Sequence, residues 1–166
     1  MQNPPAYPHE LPPSPPTPKL THVLFDIGYL GLKDPHALPS IVRSLHALLI
    51  DCRFSPRSRI PQYRGIYLAQ QLGNQYTVVP QLGNRNYKEH EKPFAIVDLA
   101  KGLEIVYEHL QHRPVILMCA CANRMDCHRL FLTDSMEFVY GIRTVPLTNE
   151  LVTGMLNLGQ MLAEGN

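Results

Sequence analysis

The sequence predicts an α/β domain built on a largely parallel sheet. From Leu20 onward short apolar runs alternate with helical patterns, the signature of repeated strand–helix units. Hydrophobic residues make up 45% of the 166 residues and charged residues 17%, a balance that supports a globular core. No run of 18 apolar residues occurs, so a membrane-spanning reading drops out.

The elements follow in order. Eight of the 16 prolines fall between Pro4 and Pro18, where almost no large aliphatic residue is present to offset the entropy of ordering. Residues 1–19 are therefore expected to form a disordered Pro-rich tail, and residues 20–166 a single α/β domain. Pro5/Pro8, Pro12/Pro15 and Pro15/Pro18 have P-x-x-P spacing, which offers a protein partner a docking segment, although so dense a proline stretch produces that spacing by itself. A signal peptide would be apolar and basic where this chain is rich in proline, so a cytoplasmic location is expected.

Strands are predicted over 22–27, 47–52, 76–79 and 115–119, with a fifth over 142–145. Helices are predicted over 37–45, 67–72, 94–110 and 127–140. The third is the most regular, because Ala95, Leu99, Leu103, Val106 and Leu110 recur at intervals of three and four. Thr148 is placed to cap a last amphipathic helix carrying Leu151, Val152, Met155, Leu158 and Met161.

In an open α/β sheet ligands bind outside the carboxyl ends of the strands, so the segments after each strand are where chemistry is expected. Arg53, Arg57, Arg59 and Arg64 follow the second strand, Arg85 and Lys88 the third, and Arg124 and Arg129 the fourth. Eight of the 15 basic residues thus project to one end of the sheet, although the net charge is only +1. Guanidinium groups suit bidentate contact with phosphate or carboxylate. The competing reading pairs these arginines with Asp26, Asp51, Asp126 and Glu91.

Residues 115–129 read as strand, tight loop and helix, with Asp126 expected as the N-cap. His128 and Arg129 in a first helical turn oppose the helix dipole, and a bound anion would justify them. The cysteines admit three chemistries. Cys119 at a strand end, or Cys127 at a helix start, could be a nucleophile, with Cys127 favoured by its place in the first turn. Cys119, Cys121, Cys127 and His128 could ligate zinc, but C-x-C-x5-C-H lacks the paired knuckles of ribbon-type sites, so no metal or other cofactor is expected. The plain alternative is that they pack as small buried residues.

Four ordered motifs carry a resemblance. They are Asp26-Ile27-Gly28-Tyr29, the segment Asp51-Cys52-Arg53-Phe54-Ser55-Pro56-Arg57-Ser58-Arg59, the turn Pro80-Gln81-Leu82-Gly83, and Cys119-Ala120 followed by Cys127-His128-Arg129. Over about residues 21–140 the chain resembles the domain of unknown function 488 family, which implies a small Rossmann-like, three-layer α/β domain. It departs from that family at Cys52, where an aliphatic residue is usual, and at Cys121, where an acidic residue is common.

Charge placement and motif placement point to the same rim. The expectation is an α/β enzyme that binds an anionic small molecule, a nucleotide or a nucleic-acid end. Arg53, Arg57, Arg59 and Arg129 would hold the anion, with Asp51, Cys119 and His128 as candidates for the chemistry. Gly28 would permit close backbone approach, Tyr29 would stack on a base or sugar, and Ser58 and Cys127 would complete the site. Asp51 is equally suited to orienting Arg53 or Arg57. The rival from another class is a non-catalytic module that docks nucleic acid or a phosphate ligand on the same arginines.

Overall fold

The computed structural model describes residues 22–164, so the tail expected over 1–19 lies outside the described residues. Five strands, β1 (Leu24–Gly28), β2 (Leu48–Asp51), β3 (Tyr76–Val78), β4 (Val115–Cys119) and β5 (Thr144–Pro146), pair in the order β3-β2-β4-β1-β5. Every pairing is parallel. The helices are α1 (Ala37–Ser44), α2 (Gly65–Leu72), α3 (Leu99–Leu110), α4 (His128–Tyr140) and α5 (Asn149–Glu164). The fold is Rossmann-like, with helices on both faces of an all-parallel sheet.

The strand order explains the layers. Crossovers from β1 to β2 and from β2 to β3 run one way along the sheet, and those from β3 to β4 and from β4 to β5 run the other way. With the usual right-handed crossover, such a reversal sends the two sets of helices to opposite faces. Leu24, Leu48, Ile50, Val115 and Leu117 accordingly pack on Leu103, Val106 and Leu110 of α3 and on Leu132 and Met136 of α4. The alternate residues Phe25, Ile27, Leu49, Ile116 and Met118 pack on Leu38, Ile41 and Val42 of α1, Leu68 and Leu72 of α2, and Val152 of α5. Strands buried on both faces read as continuous apolar runs, which is how they appear in the sequence.

Three helix starts differ from the sequence expectation, the second helix beginning at Gly65 rather than at residue 67. The third helix begins at Leu99 rather than at residue 94, because the Asp98 carboxylate caps it by accepting from the Lys101 amide at 3.1 Å. The preceding residues are extended instead: Asn84 bridges to Ile96, its Oδ1 accepts the Ala95 amide, and the Val97 amide donates to the Gly83 carbonyl. The fourth helix is capped by Cys127, whose Sγ accepts from the Arg129 amide at 3.4 Å. Asp126 is held outside by the Asn123 amide group. Gly141, in the left-handed region at φ 69°, ends that helix. Among the described residues no helix is long and apolar enough to cross a membrane.

Leu117 is fully buried in the central strand, so Leu117→Ala is expected to cost about 2–5 kcal/mol in urea unfolding. Phe138 is 77% exposed on α4, and Phe138→Ser should stay within about 0.5 kcal/mol of the parent.

Candidate functional site

Connections leave neighbouring strands β2 and β4 in opposite directions, which opens a crevice at their carboxyl ends. The loops after β1, β2 and β4 converge there, and because the strands are parallel all three lie on one edge of the sheet. Two carboxylates stand beneath this edge. Strand alternation turns Asp26 toward the α4 layer and Asp51 toward the α1/α2 layer.

Asp51 is completely buried and fully engaged. Its Oδ1 accepts from Arg53 Nε at 2.7 Å and from the Arg53 amide at 3.2 Å; its Oδ2 accepts from Arg53 Nη2 at 2.5 Å and from the Tyr76 hydroxyl at 2.8 Å. The remaining Arg53 nitrogen donates to the Tyr63 carbonyl at 2.9 Å and to that of Arg57 at 3.4 Å. Burial works against the Arg53 charge, but the hydrogen bonds and field of Asp51 outweigh it and hold the guanidinium above its ordinary range. Burial and the Asp51 charge likewise push the Tyr76 hydroxyl up, so it remains a donor. Arg53 also lies 5.3 Å from the ring centroid of Tyr29, which stacks on Tyr63 at 4.2 Å. The Tyr29 hydroxyl reaches Ser58 Oγ at 3.4 Å, and Ser58 Oγ accepts the Ile60 amide. This is the arrangement in which Asp51 orients Arg53, and it folds the β2–α2 loop around a buried ion pair.

Asp26 does the same for the β4–α4 loop. It accepts from Arg129 Nε at 2.6 Å and from Arg124 Nε at 2.9 Å, and Arg124 continues to Thr133 Oγ1 at 2.8 Å. Arg129 is buried, and its Nη1 donates to the Cys121 carbonyl at 3.3 Å. Gly28 makes room for that carbonyl: a Cβ there would stand 1.8 Å from Cys121 O and 2.6 Å from Arg129 Nη1. Close approach of a backbone, rather than an unusual dihedral, requires the glycine.

The thiols meet where this loop closes. The Sγ atoms of Cys119, Cys121 and Cys127 all lie within 4.8 Å of one another. Cys119 Sγ is 3.9 Å from Cys121 Sγ and 3.7 Å from His128 Nδ1, while His128 Nε2 is 3.0 Å from the Cys52 carbonyl. Hydrogen bonds from Cys121, Cys127 and Cys52 hold the Cys119 thiol well below the usual thiol range, against the effect of burial. The same contacts with Cys119 push the Cys127, Cys121 and Cys52 thiols up. At His128 burial opposes the charged ring, yet the hydrogen bond and charge of Cys119 outweigh it and raise the imidazole.

The arginines fall into two groups. Arg53 and Arg129 are spent on internal carboxylates, whereas Arg57 and Arg59 are exposed and, among the described residues, have no ion-pair partner. Arg57 borders a cleft of about 630 Å³ with Pro56, Ser58, Arg64, Gly65, Ile66, Ala69, Tyr76 and Val78. The first turn of α2 opens onto it with no side-chain cap and no acidic residue. A smaller cleft of about 260 Å³ lies on the other side of the crevice, where Arg124 and Arg129 face Asp26 and Glu150. Both of its arginines share the Asp26 carboxylate.

Sequence reasoning named Asp26 only as an alternative partner and left Arg64, Tyr63 and Tyr76 outside the site. A signal existed for Asp26: a carboxylate inside Leu24-Phe25-Asp26-Ile27-Gly28 must be neutralised wherever that run is buried. Tyr63 and Tyr76 carry no such signal, since aromatic residues near strand ends are common.

Removing one partner of a buried ion pair leaves an uncompensated charge, so Arg53→Ala is expected to cost about 3–5 kcal/mol of stability in urea unfolding. Arg57→Ala, at an exposed and unpaired position, should change stability by about 0.5 kcal/mol or less.

No curated protein and no solved structure matches the chain. The family model described as Domain of unknown function DUF488 matches residues 43–136, more than half of the chain, from the end of α1 into α4. The match takes in Asp51 to Arg59 and Cys119 to Arg129, while Asp26 to Tyr29 precede it. On that match the chain belongs to the DUF488 family, whose name assigns it no activity.

Proposed function

We propose that the protein binds an anionic, phosphate-bearing ligand of nucleotide size in the cleft between the β2–α2 loop, α2 and the edge strand β3. The observation that carries this reading is the division among the arginines. Arg57 and Arg64 border a cleft with no carboxylate on its wall, and Arg57 has no internal partner to give up. The Gly65 amide is taken by the Pro56 carbonyl, and the Ile66 and Tyr67 amides at the start of α2, which has no side-chain cap, add a second attraction for an anion. Pro56, Ile66, Ala69 and Val78 provide an apolar wall suited to a flat ring attached to the charged group. Arg59 is exposed on the same loop.

The enzymatic version of this reading is favoured by one observation, the 3.7 Å approach of Cys119 Sγ to His128 Nδ1. Asp51 does not strengthen it, since both of its oxygens are committed to Arg53 and Tyr76. A shallow cleft walled by arginines and apolar side chains is what the binding-module version requires.

Calorimetric titration with adenosine 5′-monophosphate and with adenosine separates these elements. The monophosphate is expected to bind more tightly than the nucleoside, and Arg57→Ala should weaken it by about 1.5–3 kcal/mol, the range of a charge-assisted hydrogen bond. Equal affinity for the two compounds, or no effect of Arg57→Ala, would refute the cleft. A single-stranded oligonucleotide that bound far more tightly than the monophosphate, with a steep salt dependence, would shift the reading to nucleic acid.

A further inference from the structure

We propose that Cys119, Cys121 and Cys127, with His128 as the nearest nitrogen donor, form a binding site for a thiophilic metal ion, with zinc in tetrahedral coordination as the fitting occupant. The spacing C-x-C-x5-C-H argued against such a site, because ribbon-type sites draw their ligands from paired knuckles. The fold assembles it differently. Cys119 ends β4, Cys121 follows in the loop, and Cys127 caps α4, so one strand–loop–helix turn delivers three sulfurs to one point.

The distances suit a metal. Zinc–sulfur bonds of about 2.3 Å at tetrahedral angles place sulfurs about 3.8 Å apart. Cys119 and Cys121 already stand 3.9 Å apart, and the other pairs are within 4.8 Å. The imidazole is presented as ligating histidines are: Nε2–H donates to the Cys52 carbonyl, which leaves Nδ1 as the nitrogen turned toward Cys119. Phe94 packs edge-on against that ring.

The surroundings are those of a prepared site. Cys119 and Cys127 are buried, and Cys121 is partly exposed, which gives an ion a way in. The Arg129 amide donates to Cys127 Sγ at the start of α4, which fixes the position of that sulfur. The loop is held in place from below by Arg129 on the Cys121 carbonyl and by the gap at Gly28. Sulfur donors select zinc and related soft ions over magnesium or calcium. On binding, each protonated thiol releases its proton to solvent and its sulfur lone pair forms the bond to the metal.

The test uses the full chain, reduced and stripped of metal with a chelator, titrated with cobalt(II) and then with zinc(II). Expected are thiolate-to-cobalt charge-transfer absorption and the intense visible bands of tetrahedral cobalt, saturating at one equivalent and abolished by zinc. Cys121→Ser, at a partly exposed position, should lose these bands while unfolding at a similar temperature. His128→Asn should weaken zinc binding by about 10- to 100-fold. X-ray absorption of the wild-type zinc complex should count three sulfurs around the metal. Absence of the cobalt bands at one equivalent, octahedral spectra, or fewer than three sulfurs would overturn the proposal. This readout is independent of nucleotide binding at Arg57, so either reading can fail alone.

Discussion

A carboxylate buried in the middle of a sheet is the constraint from which the rest of the edge follows. Taking an isolated ion out of water costs several kcal/mol even after relaxation, so Asp26 requires cations that reach it from outside the sheet. Arg124 and Arg129 supply them, and both belong to the segment that follows β4. Their pairing draws that segment back over the strand ends, where Gly28 leaves space for its backbone. On the other face, Asp51 captures Arg53 and through it the β2–α2 loop. Two buried carboxylates, through three ion pairs, therefore turn two long loops into fixed walls of one crevice.

That division of labour decides what remains for function. Arg53 and Arg129 neutralise the interior, whereas Arg57 and Arg59 are exposed and, among the described residues, carry no ion pair. The three clustered thiols owe their proximity to the same loop. Cys121 lies there because Arg129, anchored on Asp26, also holds the Cys121 carbonyl. Structural charge and candidate chemistry are thus coupled through one guanidinium.

Much of the fold was legible in the sequence, and for a physical reason. Strands buried on both faces are apolar throughout, and Val115 to Cys119 announces itself as a central strand by that fact alone. Parallel pairing then obliges the loops after β2 and β4 to share an edge. Local competition was less legible. Whether Asp98 or an earlier residue starts α3 depends on Asn84, fourteen residues away, capturing the Ala95 amide. Whether Asp126 or Cys127 caps α4 depends on Asn123 drawing the carboxylate aside. Which arginine is free is a matter of reach to carboxylates distant in sequence: Arg129 meets a partner 103 residues away. The convergence of the thiols was hidden for the same reason, since spacing along the chain does not show how tightly a loop folds back.

The Asp26 carboxylate pins the β4–α4 loop through Arg124 and Arg129, and the labelling of individual cysteines in Asp26→Asn tests that anchor. With a neutral alkylating reagent and mass spectrometry, the parent protein should label first at the partly exposed Cys121, with Cys119, Cys127 and Cys52 protected. In Asp26→Asn the loop loses its anchor, so Cys119 and Cys127 should label faster. Cys52, whose amide and thiol both donate to the Met118 carbonyl at the β2–β4 pairing, should remain protected. Unchanged labelling of Cys119 and Cys127 in the folded variant, or acceleration of Cys52 in step with them, would show that Asp26 is not the anchor of this loop.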